Sequence, residues 1–159
     1  MGTKAEQLAA KFEQTAKDFG SKIQGMSDRE WRAKTPEEGW TVAATAHHAA
    51  GSSGPISMMV QAAATGGPMP PITADGLNQM NLEHSKQFAS CSKEETLKLL
   101  NETTPQAASV VRGLTDEQLS RKATMPALPM ELSAEQIIEN VLIGHLAGHG
   151  ASIAAAVPA

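Results

Sequence analysis

Two stretches of this 159-residue chain contain no Asp, Glu, Lys or Arg: Gly39 to Ala74 and Asn140 to Ala159. Segments so free of charge must be covered by the rest of the fold or by lipid. The second is about the length of a membrane span. It holds Asn140, His145, His149 and Ser152, however, and is otherwise dominated by Ala and Gly. A buried bundle helix is therefore the expectation, with no membrane partner. Four of the five histidines lie inside these two stretches. The fold is thus constrained to bury two helices that carry no charged side chain apart from what their imidazoles can acquire.

The remaining composition points to an all-α fold. Aromatic residues are scarce, tyrosine is absent, alanine is abundant, and few segments alternate with period two. The length suits one domain, 1–159, with a sizeable core. With 13 basic and 17 acidic residues and no basic patch, the chain has no sign of a nucleic-acid partner. Its one cysteine, Cys91, rules out an intrachain disulfide and fits a reducing compartment. Met1 to Glu6 leads into charged helical sequence without the apolar stretch of a signal peptide, so the expected location is cytoplasmic.

Residues 3–25 read as a first helix, with Leu8, Phe12, Thr15, Phe19 and Ile23 on one face. Ser27-Asp28-Arg29-Glu30 is a capping-box pattern that opens a short turn containing Trp31. After the loop Thr35 to Gly39, Thr41 can cap a second main helix, 42–64. Gly51 to Pro55 should kink or interrupt that helix. Gly66 to Pro71 is a loop long enough to be a crossover. Residues 73–90 read as helix, with Leu77, Met80, His84, Phe88 and Cys91 as its apolar stripe. Ser92 to Glu95 forms a second capping box and restarts the helix, and Thr104-Pro105 breaks or restarts it again. Leu114 to Leu119 echoes Met26 to Trp31, which we read as recurring cap chemistry. Residues 121–132, with Pro126 and Pro129, should be loop. Ser133 to Gln136 is another capping box, opening a last helix to about residue 156 that Val157-Pro158 ends. The sum is a four-helix bundle with a long crossover after the second main helix and short extra helical turns.

In the last helix, His145 and His149 are four residues apart, about one turn, so their rings stack on one face with Ile138, Val141, Leu142 and Ile153. A lone buried histidine is ordinarily a hydrogen-bonded core residue. Two side by side cost desolvation unless each nitrogen finds a partner, and a metal ion supplies one. Two ligands hold a metal poorly. His47 and His48 offer the third, but adjacent helical residues lie about 100° apart, and helix geometry scarcely separates them. His84 reads as a core histidine or a residue supporting the ligands. Cys91, a lone cysteine on a buried stripe, reads as inert. Glu139 and Asn140 lie off the face of His145 and His149.

Trp40-Thr41 with His48 eight residues after the Trp resembles the Trp-to-His signature of DinB-like proteins, whose last helix carries His-x-x-x-His as His145 and His149 do here. The resemblance extends from the first helix through the Ser92 to Glu95 cap to the terminal pair. It implies a four-helix bundle with a crossover after the second helix. It also implies a divalent metal site of His48, His145 and His149. Some similar proteins are thiol-dependent S-transferases using bacillithiol or mycothiol. In the related mycothiol-dependent maleylpyruvate isomerases, Glu stands where this chain has His145. The glycine-rich Gly51 to Pro55 departs from the usual straight second helix.

Three neutral imidazoles suit zinc or nickel, with iron also within their range, and leave a position open. That position can take water and lower its pKa, or take a thiol and hold it as thiolate. No carboxylate base is evident near the histidines, so the metal itself is the expected activating group. The expected partner is a small molecule, with a low-molecular-weight thiol as co-substrate. The expected function is a metal-dependent S-transferase or hydrolase, set against a non-catalytic metal-bound binding or stress-response module. The small-residue helices also permit a homodimer.

Overall fold

A computed structural model describes residues 3–157. Pro158, invoked above as part of the final stop, and Met1-Gly2 lie outside the described residues. The helices are α1 (Thr3–Gln24), α2 (Asp28–Arg32), α3 (Val42–Thr65), α4 (Ala74–Gln87), α5 (Lys93–Arg112) and α6 (Asp116–Ser120). Strands β1 (Lys122–Thr124) and β2 (Glu131–Ser133) follow. Last comes α7 (Ala134–Gln136), continued by a π-helical stretch (Ile137–Ile143) into α8 (Gly144–Ala156). The fold is all-α, a four-helix bundle of α1, α3, α5 and the last helix.

Hydrogen bonds and ion pairs give the helix directions. Arg112 near the end of α5 binds Glu6 (2.8 Å) and Glu13 (2.5 Å) on α1, so these two helices run antiparallel. Lys4 meets Glu135, and Lys22 Nζ donates to Gly150 O, so α1 and the last helix run parallel. Cys91 Sγ, just before α5, donates to Ala43 O (3.5 Å), and Thr103 Oγ1 donates to Ala50 O (2.8 Å), so α3 and α5 run parallel. Two parallel neighbours need a long return, and residues 66–92, which include α4, provide it. The order is up-down-down-up, with the expected crossover in place. Each of α1 and α3 packs on both α5 and the last helix.

The core follows the periodic faces. Phe12, Ile23, Val60, Val111, Ile137, Ile138, Leu142 and Ile153 are buried to within 1% of full coverage. From Val42 to Ala50 every residue of α3 is buried, which explains its lack of charge. The capping boxes at Ser27 and Ser133 form as read, and Thr115 with Gln118 forms a third. At Ser92 only the serine half forms, Glu95 N donating to Ser92 Oγ (3.0 Å).

The structure departs from the local sequence signals in five places. Pro55 does not interrupt α3, and Pro105 does not break α5. Pro55 leaves one carbonyl, that of Gly51, without its helical donor, and packing on both sides of α3 outweighs that loss. Residues 121–132 are not all loop: β1 pairs with β2 antiparallel, Lys122 opposite Ser133 and Thr124 opposite Glu131. Burial of Met125 and Leu132 fastens this hairpin to the bundle. The apolar stripe of α4 does not enter the core. Only Ser85 of α4 is buried, and Met80 is 54% exposed. This helix lies on the outside of α3 as part of the crossover. Finally, the last helix is not uniformly α, since i→i+5 bonding replaces i→i+4 over Ile137–Ile143. Among the described residues no helix is long and apolar enough to cross a membrane.

Candidate metal centre

Because α3 and the last helix are antiparallel neighbours, His48 near the start of α3 meets His145 and His149 in the second half of the last helix. Thr41 sets the first ring. Its hydroxyl caps α3 by accepting from Ala44 N (3.1 Å) and donates to Ala89 O (2.8 Å), tying the helix start to the chain just before α5. Trp40 packs edge-on against His48, ring centroids 5.6 Å apart. On the other side, His145 and His149 stack one turn apart, as their spacing requires.

Three Nε2 atoms converge. His48 Nε2 lies 3.1 Å from His145 Nε2, which lies 3.2 Å from His149 Nε2. Among the described residues, these three histidines form the one His, Cys, Asp or Glu cluster close enough to share an ion, each offering an atom within 4.8 Å of the others. The question of His47 against His48 is thus answered in space. The ring of His47 turns away, stacks on Phe88 at 3.8 Å, and places Nδ1 3.0 Å from His84 Nε2. His84 is half-buried and belongs to this second pair, outside the convergent three. Cys91 hydrogen-bonds Ala43 O and Thr96 Oγ1, and burial raises its thiol pKa, which fits the inert reading.

The expectation of no nearby carboxylate is wrong. Glu38 Oε1 lies 2.9 Å from His149 Nδ1, and Ser152 Oγ donates to Glu38 Oε2 at 2.6 Å. The loop before α3 aims it. Gly39 takes φ +73°, a left-handed conformation that suits glycine, and Gly39 N donates to Thr35 O (3.0 Å). Burial raises the Glu38 pKa, but hydrogen bonds from Ser152, Thr35, its own backbone and His149 outweigh it and hold the group ionised. As an anion it accepts from His149 Nδ1–H, which leaves the Nε2 lone pair of His149 facing the other two rings. The signal in the sequence was a carboxylate two residues before Trp40, in a loop whose path only the folded chain reveals.

Burial disfavours the charged form of His48 and His145. Desolvation, then the charges that His145, His149 and His84 would carry, push the His48 pKa to about 3, against a smaller pull from Glu38. Desolvation, then His149, push His145 to about 4. An unfolded chain protonates both near 6.5. Below that value the unfolded state holds more protons, so stability is full above it and falls as the pH drops towards the folded values. Metal-free protein should therefore show a denaturant midpoint that is level near neutrality and declines as the pH falls from 6.5 towards 4. A midpoint flat across that range would mean that the two rings are solvated.

Beside the three histidines lies a cavity of about 390 Å³. His48 and His145 belong to its wall, as do Gly51, Ser52 and Pro55 of α3. The glycine-rich segment therefore leaves α3 continuous and thins its surface where the cavity opens. The stripe of α4 adds Leu77, Met80 and His84 to the lining.

Comparison with known proteins agrees with this architecture. The chain is similar in structure to a mycothiol-dependent maleylpyruvate isomerase, with TM-score 0.75 and 13% identity over 96% of this chain and 63% of that one. It thus spans less than two thirds of that enzyme's length. It is also similar to YfiT from Bacillus subtilis, described as a probable metal-dependent hydrolase with an unusual four-helix bundle topology. There the TM-score is 0.71 and the identity 19%, over 97% of this chain and 88% of that one. An uncharacterised protein from Clostridium difficile 630 aligns with TM-score 0.72 and 14% identity, over 96% of this chain and 95% of that one. At such identities the likeness is one of fold. No curated protein matches the sequence. The family model of the DinB superfamily matches residues 11–153, nearly the whole chain, and the chain belongs to that superfamily.

Proposed function

We propose that this protein is a divalent-metal-dependent enzyme acting on a small molecule, with His48, His145 and His149 as the metal ligands. The observation that carries the proposal is the convergence of three Nε2 atoms beside an apolar cavity. The donor set fits an ion. Two zinc–nitrogen bonds of about 2.0–2.1 Å at a tetrahedral angle span about 3.3–3.4 Å. The two separations, 3.1 and 3.2 Å, come close to that span, so a small outward shift of the rings would admit an ion. Zinc and nickel suit three imidazoles best, and iron is within their range.

When bound, such an ion supplies Lewis acidity, lowering the pKa of a water or thiol at its open position. The chain's own residues do the rest. Glu38 and Ser152 fix the tautomer and orientation of His149. Trp40 and the walls of the cavity hold bulk water away from His48. Cys91 is half-buried and hydrogen-bonded outside the three-histidine cluster, so a sulfur nucleophile would have to come from a separate small thiol. This supports two reactions, thiol-dependent S-transfer and hydrolysis. Turnover of an electrophile that requires added thiol would select the first, and ester or amide cleavage without thiol the second. Absence of both from metal-loaded protein would favour a non-catalytic metal-bound module.

The support given by Glu38 has its own test. Glu38→Ala should weaken zinc binding by roughly 10–100-fold, measured by competition with a chromophoric chelator, while the helical circular dichroism is unchanged. Glu38→Gln keeps an acceptor and should retain most of the affinity. Equal losses in the two variants would mean that charge, and not orientation of His149, is what Glu38 contributes.

A further inference from the structure

The lining of the cavity is chemically one-sided. Met59, Met69, Met80 and Met125 contribute four thioethers, joined by Leu128 and Val141. Among the described residues that line it there is no Asp, Glu, Lys or Arg. Its few polar groups are largely committed. Ser52 Oγ donates to His48 O at 2.6 Å, and His84 Nε2 pairs with His47 Nδ1. Asn81 adds one amide to the wall.

Such a wall selects by cost. A carboxylate, sulfonate or phosphate placed along it would lose its hydration with no cationic side chain in return. A neutral apolar body loses little hydration and gains dispersion contacts, which the flexible, polarizable methionines can make with rings or alkyl chains of varied shape. The volume is in the range of small-molecule pockets. Resting on the metal reading above, we infer that the substrate is an uncharged, largely apolar small molecule that lies along the methionine wall with one polar group at His48 and His145. The side chains that set this preference include Met59, Met125 and Leu128, none of which is on the helix that carries His145 and His149.

A matched pair of fluorescent probes tests this. N-phenylnaphthylamine is neutral; anilinonaphthalenesulfonate has the same rings and one sulfonate. Each is titrated into metal-loaded and chelator-stripped protein, with metal content measured on the same samples. The neutral probe should bind at least about tenfold more tightly in both states. Met59→Lys, which places a cation on the wall, should narrow or reverse that ratio. Leu128→Trp, which fills the cavity from the hairpin, should weaken both probes while the metal content stays at the wild-type level. An anionic probe that matches the neutral one in either state overturns the inference and leaves the metal reading standing. Protein that takes up no metal overturns the reading on which the inference rests, whichever probe it prefers.

Discussion

Replacing His145 with alanine should empty the proposed metal centre. Tag-free wild-type protein, reconstituted and desalted, should carry close to one equivalent of metal, and His145→Ala less than about a tenth. His145 has the largest expected effect of the three because its Nε2 is the shared neighbour, 3.1 Å from that of His48 and 3.2 Å from that of His149. Without it the remaining two rings no longer have a bridging donor. Any metal-dependent turnover should fall by more than the roughly 100-fold that loss of an outer partner such as Glu38 can cost. Stability separates this role from an ordinary core histidine. If the ring served the core, its loss would destabilise the metal-free protein. As a ligand it is a desolvated group crowded by two others, so metal-free His145→Ala should be at least as stable as metal-free wild type. Wild-type protein that stays below about a tenth of an equivalent after reconstitution would sink the site altogether.

Phe12→Ala should have the largest effect on stability and none on the metal centre. Phe12 is fully buried on α1, a helix that carries no histidine. Removing a buried phenylalanine ring costs about 3–5 kcal/mol through lost transfer energy and the cavity left behind. For a chain of this size, that corresponds to a fall in melting temperature on the order of 10 °C. Measured under conditions where the variant is still folded, metal stoichiometry should equal that of wild type. A loss below about 1 kcal/mol would show that the site collapses around the missing ring and that α1 is less tightly packed than its burial indicates.

Much of this contrast between core and site can be read from the residues in order. Leu8, Phe12, Phe19 and Ile23 recur at helical spacing, and all four are buried, because a periodic apolar face leaves a helix few ways to pack. The caps at Ser27 and Ser133 depend on residues three apart and formed as local rules require. The facing of His145 and His149 is equally local. That His48 and not His47 joins them was open on helix geometry, and it was the resemblance that pointed to His48.

What could not be read depends on contacts between distant segments. Pro55 and Pro105 carry strong local signals for a break, and packing along α3 and α5 overrides both. Met80 and Leu77 look like core residues by spacing, yet α4 rests outside α3, where the same stripe lines a cavity. Glu38 precedes α3 in a loop, and its partner His149 is 111 positions away. No periodicity links such a pair.

The π-helical stretch before α8 separates aim from packing. A π turn closes its hydrogen bonds one residue later than an α turn, so it holds one residue more per turn. The last helix therefore carries slack between its core-facing start, Ile137 and Ile138, and its imidazoles. Asn140, exposed within that stretch, is the kind of residue whose removal would let the helix regularise without rotating either end. The extra residue is thus absorbed within the stretch, so Ile137 and Ile138 on one side and Leu146 and Ile153 on the other can each pack into the core while His145 and His149 keep their direction.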